Sequence, residues 1–246
     1  DEDRDPLPAV NRPAARVFPA RVTAVERVVP RVVRVTFAGD SLRELPEPTP
    51  GGHLRLFFDE REPEGTEARY LRRTFTPRWF DRERGEVVCE FVLHGEGLAS
   101  DWAQQAAVGD PVVVSGPGGR FRPEAVDGRF VIVVDDTGVP AAGTVVEALP
   151  ADTEVHALVE VTDGDDHRPL SPERDVPVSW LHRKPGEARP GTLLEAAVAD
   201  LPDDLTAGWF VAAEARTVRR IHRHLVDERG VDDDHVEPRG YWRLRD

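Results

Sequence analysis

Six consecutive residues, Arg73-Thr74-Phe75-Thr76-Pro77-Arg78, carry the densest set of groups able to do chemistry. Two guanidinium groups and two hydroxyls surround one aromatic ring on a strand-like run. Such donors suit phosphates and polar heterocycle atoms, and the ring offers a stacking face. The same residues would also make an ordinary β-strand with an exposed polar face, and residue types alone leave both readings open. A second group, Gly97-Leu98-Ala99-Ser100-Asp101-Trp102, opens a predicted helix. The free N–H groups of a helix N-terminus attract anions, although a plain helix cap would use the same residues. A third, Asp136-Thr137, follows the apolar run 129–134. The carboxyl end of a strand in a parallel sheet is a normal place for a ligand.

Other reactive residue types carry less. His94 ends an apolar strand, where a histidine reads as hydrogen-bonded structure more readily than as an acid or base. His222 and His224 stand two apart on a predicted helix and face apart, so they make a poor metal pair. No set of His, Cys and carboxylates has the spacing of a metal site. Cys89 is the single cysteine. It excludes an internal disulfide framework and a four-cysteine iron–sulfur cluster, and its alternating surroundings suit a small buried hydrophobe. Arg216, Arg219, Arg220 and Arg223 lie beside the apolar stripe Val218, Ile221, Leu225 and Val226, as on a helix with a solvated basic face. Arg55 reads equally as a β-surface charge or a binding residue.

These groups need elements to hold them. The first half is rich in short strand-like runs, at 15–25, 32–37, 54–58, 74–78, 87–93 and 111–115, separated by turn formers. That pattern suggests a small barrel or sandwich. One helix interrupts it, capped by Ser100-Asp101 and running to about Ala107. The second half changes character. Apolar 129–134 reads as a strand buried on both faces. Helix-like 140–149, strand-like 154–161 and 176–181, helix-like 193–201, strand-like 209–213 and a helix over 216–229 follow. Alternating strands and helices imply a parallel sheet with crossover helices. The expected boundary lies at Pro123–Gly128, giving a flexible segment 1–14, a barrel domain 15–124 and an α/β domain 125–246. Ligands bind outside the carboxyl ends of parallel strands and between domains, so two large ligands meeting at the junction is the natural expectation.

Composition narrows the partners. The net charge of −14 argues against nucleic acid, which needs clustered positive charge. No window supplies the run of about 18 apolar residues that a membrane helix needs. The polar start Asp1-Glu2-Asp3-Arg4-Asp5-Pro6 lacks the apolar core of a secretory signal. The expectation is a cytoplasmic protein, acting as a monomer. Lys184 is the one lysine among 32 basic residues, and Met is absent. This resembles a high-GC bacterial coding bias.

Taken in order, the blocks resemble the siderophore-interacting protein family, a branch of the ferredoxin-reductase-like FAD and NAD(P)H oxidoreductases. The family pattern Arg-x-Tyr-Thr-x-Arg matches residues 73–78 except for Phe75 in place of Tyr. Phe91-Val92-Leu93-His94-Gly95-Glu96-Gly97-Leu98-Ala99-Ser100-Asp101-Trp102 is similar to its Val-Leu-His-Gly…Gly-Pro-Ala-Ser-x-Trp, with Leu98 in place of Pro. Asp135-Asp136-Thr137-Gly138-Val139-Pro140-Ala141-Ala142 is similar to its Asp-Glu-Thr-Ala-Leu-Pro-Ala. Trp209–Ala215 and Gly240-Tyr241-Trp242-Arg243 also fit, so the resemblance spans about 16–243.

The resemblance implies a six-stranded FAD-binding barrel followed by a nicotinamide-nucleotide-binding α/β domain. It implies non-covalent FAD, with NADH or NADPH as electron donor and a ferric siderophore as substrate. Arg73, Thr74, Phe75, Thr76 and Arg78 would line the flavin and the adjoining phosphate region. Val92, Leu93 and His94 would wall the ring and ribityl chain. Gly97, Ala99 and Ser100 would present N–H groups to the pyrophosphate. Asp136 and Thr137 would meet the adenine end, and Trp242 would cover part of the cofactor. Glu214, Arg216 and Arg219 would lie near the nicotinamide nucleotide. Arg55 and Arg243 would help dock the anionic chelate. No side chain would be catalytic, since the flavin carries the chemistry. A general flavin oxidoreductase and a non-enzymatic siderophore-binding module stand as the alternatives.

Overall fold

A computed structural model describes residues 16–59, 70–93, 97–184, 186, 189–202 and 205–244. The segment 1–14 and His94 lie outside the described residues. The chain divides into two compact units, with the division between Arg120 and Phe121. Phe121 opens the second unit and stacks on Phe210 within it, with ring centroids 5.7 Å apart.

The first unit is an antiparallel sheet of seven strands. These are β1 (Val17–Val29), β2 (Val32–Ala38), β3 (His53–Asp59), β4 (Tyr70–Phe75), β5 (Trp79–Asp81), β6 (Glu86–Val92) and β7 (Pro111–Gly118). Their order is β4-β3-β7-β1-β2-β6-β5. Alternation makes the strands: Phe18, Ala20 and Val22 of β1 and Val33, Val35 and Phe37 of β2 point to one core. The sheet rolls around that core. Phe75 on the edge strand β4 lies 4.2 Å from Phe91 on β6, although four strands separate β4 from β6 in the sheet order. The helix α1 (Leu98–Gln105) packs against β2, β4 and β6.

Two details differ from the sequence-based expectation. β4 ends at Phe75 rather than Arg78, because Pro77 offers no N–H to a ladder. After that break Trp79–Asp81 pairs with β6 as a seventh strand, too short to show as a periodic run. In addition α1 starts at Leu98, with Gly97 as the residue before the first turn. Gly97 has φ 137°, a conformation that favours glycine, so Ser100 and Asp101 lie inside the helix and do not cap it.

The second unit is a five-stranded parallel sheet, ordered β10-β9-β8-β11-β12. Its strands are β8 (Arg129–Asp135), β9 (Glu154–Val161), β10 (Val178–His182), β11 (Gly208–Glu214) and β12 (Val236–Trp242). The helix α2 (Val139–Ala148) covers one face, where Phe130, Ile132 and Val134 pack. The helices α3 (Thr192–Ala199) and α4 (Ala215–Arg223) cover the other, over Val131 and Val133. Burial on both faces is why β8 reads as a continuous apolar run. The edge strand β12 was not expected as a strand, since its sequence holds Glu237, Pro238, Arg239 and Gly240. An edge position tolerates the proline. Among the described residues no helix is long and apolar enough to cross a membrane.

Candidate functional site

In the barrel unit, antiparallel pairing sorts the residues of the opening stretch by face. Phe75 sits opposite Leu54 and Arg73 opposite Leu56, both leucines fully buried, so Arg73 and Phe75 share the core-side face of β4. Thr74 sits opposite Arg55, and both are exposed. The fold therefore brings Arg73 and Phe75 together and turns Thr74 the other way, beside Arg55. Phe75 is half-buried. It belongs to an aromatic cluster in which Phe58 and Trp102 lie 4.1 Å apart and Phe91 and Trp102 lie 5.5 Å apart. Trp102 stands on α1, so this cluster ties the 73–78 stretch to the block that begins at Gly97.

Thr76 and Arg78 follow the end of β4 and are buried. The Arg78 N–H donates to the Val88 carbonyl at 2.8 Å, and its guanidinium lies 4.2 Å from the centre of the Trp79 ring. Arg34 lies 4.7 Å from the same ring and pairs with the buried Glu90 at 2.8 Å. Trp79 thus carries two guanidinium groups, a role its sequence context did not reveal. Val92 ends β6 opposite Val32 and is half-buried. The Leu93 N–H donates to the Arg31 carbonyl at 2.8 Å, and the Leu93 side chain packs on the barrel core.

The test for a bound pyrophosphate falls on Ser100. Its residue is 2% exposed, yet its hydroxyl has no hydrogen-bond partner among the described residues. Buried polar groups are nearly always satisfied, so an orphan of this kind asks for an explanation. Ser100 lies in the first turn of α1, where backbone N–H groups lack intrahelical partners and Gly97 contributes no side-chain cap. A phosphate oxygen would accept from both. The residues present therefore fit the expected FAD.

In the α/β unit, the carboxyl ends of adjacent strands collect polar groups. Asp135, absent from the sequence-based site, ends β8 and is buried. Its Oδ1 accepts from the Thr137 N–H at 3.0 Å and from the Thr137 hydroxyl at 2.5 Å. Its Oδ2 accepts from the Trp242 indole N–H at 2.8 Å. Burial pushes its pKa up, while the Thr137 and Trp242 hydrogen bonds pull the other way. Neighbouring Asp136 is pushed up to about 7, chiefly by burial and then by the charge of Asp135. Glu160 stands opposite Asp135 on β9, where its Oε1 accepts from Arg183 at 3.0 Å and from the Gly191 N–H at 2.9 Å. An acid closing an apolar strand is the signal that would have pointed to both Asp135 and Glu160.

Glu214 has a clear structural use. Its Oε2 accepts from the N–H groups of Arg216 at 2.8 Å and Thr217 at 3.0 Å, so its own carboxylate caps α4. The N-terminal donors of α4 are thereby occupied by a negative charge, and the side chains of Arg216 and Arg219 are exposed. Burial raises the Glu214 pKa, but donation from Thr217, Arg216 and Leu244 and the charge of Arg220 outweigh it, and the net direction is down. A depressed acid stabilises the fold above its unfolded pKa, and the contribution is lost as pH falls through the folded value. Glu214→Gln is therefore expected to cost about 1 kcal/mol near neutrality. Denaturant titrations should show this deficit shrinking as pH drops below about 4. A deficit that stayed constant with pH would contradict the capping role.

Arg243 is exposed and follows β12. His222 pairs with Asp233 at 2.7 Å and His224 with Glu228 at 2.7 Å, so the two histidines serve separate local contacts. Among the described residues no group of three His, Cys, Asp or Glu could hold a metal ion. Cys89 is buried in the barrel core, and burial, then Glu90, drives its thiol pKa far up, which keeps it unreactive.

Comparison with known proteins gives a consistent set of relatives. Residues 59–121 match the family described as siderophore-interacting FAD-binding domain, and residues 128–245 match the siderophore-interacting protein family. Ferric vibriobactin reductase ViuB of Vibrio cholerae is 28% identical over 93% of this chain and 90% of its own length. The NADPH-dependent ferric-chelate reductase of Escherichia coli is 27% identical over 91% of this chain and 92% of its own. The crystal structure of a siderophore utilization protein from T. fusca superposes with a TM-score of 0.79 at 32% identity, covering 93% of each chain.

Proposed function

The chain belongs to the siderophore-interacting protein family, and on that premise we propose that it is a cytoplasmic, FAD-dependent reductase of a ferric siderophore. Electrons would come from NADH or NADPH and pass to Fe(III), releasing Fe(II) from the chelate. The observation that carries the cofactor is the buried, unpartnered Ser100 hydroxyl at the start of α1. The names of the two reductase relatives support the activity.

FAD, when bound, supplies the conversion of a two-electron hydride into single electrons. The protein's residues bind, orient and shield. Ser100 and the first-turn N–H groups of α1 hold phosphate oxygens. Phe75 offers the half-exposed part of its ring to a flat partner, with Arg73 on the same face of β4. Arg78 and Thr76 are assigned to the flavin side of the same stretch. Val92, Leu93 and His94 are assigned to the wall, and Gly97 and Ala99 to the turn that meets the pyrophosphate. In the α/β unit Asp136, Thr137 and Trp242 are assigned to the cofactor, and Arg216 and Arg219 to the nicotinamide nucleotide. Burial and the charge of Asp135 raise the Asp136 pKa, which favours a carboxyl able to donate a hydrogen bond to a ring nitrogen. Exposed Arg55 and Arg243 supply positive charge toward an anionic chelate. The chelate then loosens because hard oxygen donors bind Fe(III) better than Fe(II).

The test is a steady-state assay against ferric siderophores and soluble electron acceptors side by side. Preference for a ferric siderophore supports the proposal. Equal turnover with every acceptor would make the chain a general flavin oxidoreductase instead. Phe75→Tyr supplies a finer check. It restores the family's hydroxyl without removing the ring, so FAD should be retained, with affinity changed by less than about tenfold. Complete loss of flavin from this variant would show that the ring is misplaced.

A further inference from the structure

We propose that Asp135 is a positioning residue that keys Thr137 and Trp242, at opposite ends of the second unit's sequence, into the arrangement in which they serve the cofactor. The inference rests on the assignment of those two residues to FAD, but the link itself lies wholly within the α/β unit.

The geometry is specific. Asp135 closes β8, the central strand of the parallel sheet, and its carboxylate is buried. One oxygen takes both Thr137 donors, at 3.0 and 2.5 Å. The other takes the Trp242 indole N–H at 2.8 Å. Trp242 is the last residue of β12, an edge strand bonded to β11 and not to β8. The bond therefore reaches from the central strand past β11 to the edge, and it holds the indole by its one polar atom. An indole N–H can only donate. Thr137 also presents donors here, so the residue between them must accept on both sides. The two carboxyl oxygens of Asp135 do so here, whereas an amide offers one accepting oxygen and one donating nitrogen. The Trp242 ring is half-buried, and without this bond its orientation would rest on packing alone.

Asp135→Asn is nearly isosteric and tests the acceptor requirement. If its oxygen keeps Thr137, its NH2 meets the indole N–H, donor against donor. The expected result in the holoprotein is an FAD Kd raised about tenfold or more, with the indole N–H band of Trp242 shifted to that of a non-bonded indole in ultraviolet Raman spectra. The spectrum is assigned by subtraction of Trp242→Phe. The decisive arm is the double variant. Trp242→Phe removes the opposing donor, so Asp135→Asn in that background should raise Kd less than about threefold further. Trp242→Phe and Thr137→Val are surface-proximal and keep the question open to measurement should Asp135→Asn fold poorly. Loss of the bonded indole band in Asp135→Asn, with non-additive Kd values, supports the proposal. An unchanged band, or fully additive Kd values, overturns it. If the band shifts but neither Trp242→Phe nor Thr137→Val alters FAD affinity, the proposal is also overturned, and the fault lies in assigning these residues to the cofactor rather than in the bond.

Discussion

Gly191→Ala is expected to lower the unfolding free energy by about 2–4 kcal/mol, the sum of backbone strain and overpacking. Gly191 precedes α3 with φ 82°, which L side chains rarely adopt. A Cβ there would lie 2.0 Å from the Thr217 Oγ1 and 2.3 Å from its Cγ2. Thr217 cannot give way easily, because it is fully buried and its hydroxyl donates to the Pro190 carbonyl at 3.2 Å. The Gly191 N–H also bonds Glu160, so moving the loop would disturb the carboxylate on β9. Rescue should be graded. Thr217→Ala removes the two nearest atoms but leaves Cβ at 2.6 Å, so it should recover only part of the loss. Thr217→Gly should relieve more of the clash, at its own cost in α4 of about 1 kcal/mol. Denaturant midpoints of the four proteins check this. A Gly191→Ala protein within about 0.5 kcal/mol of the parent would mean that α3 and α4 do not approach as described.

Ser100→Ala should act with opposite signs on the empty and loaded protein. In the absence of FAD its hydroxyl is buried and unpartnered, so removing it should leave stability unchanged or slightly raised. With FAD the same change removes a charge-assisted hydrogen bond to phosphate, and Kd should rise about tenfold or more. Thermal unfolding with and without FAD separates the two effects. A merely structural serine would destabilise both states alike. A serine uninvolved in the cofactor would leave the FAD-dependent increment unchanged.

Much of this was legible in the sequence, and the failures share a cause. The run that became β8 declared itself through the continuous apolar character that burial on both faces produces, and the strand Glu154–Val161 was read at its observed bounds. The barrel strands followed from short strand-like runs between turn formers, with alternation plain around Cys89. β5 and β12 escaped because their partners, not their own residues, make them strands: one is three residues long and the other holds a proline on an edge. At the candidate site, Arg73, Phe75 and Ser100 were singled out from residue type, order and the family resemblance, and the fold places Arg73 and Phe75 on one face of β4. Thr74 was grouped with them although adjacent strand residues face opposite ways, and pairing opposite Arg55 separates it. Ser100 was read as a cap because Gly97 contributes no side chain to signal the true helix start. Asp135 was passed over in favour of its neighbours. An acid at the end of an apolar strand marks Asp135 locally, but its bond to Trp242, more than a hundred residues away, is carried by no local pattern.

The central claim is that this chain is a flavin-dependent ferric-siderophore reductase, and anaerobic titration of the FAD-loaded protein tests it most directly. NADH or NADPH should bleach the flavin absorbance. A ferric siderophore should then restore it, with Fe(II) appearing at two equivalents per flavin because each reduced flavin carries two electrons and each iron takes one. Failure to bind FAD, or a reduced flavin that no ferric siderophore reoxidises, would contradict the account.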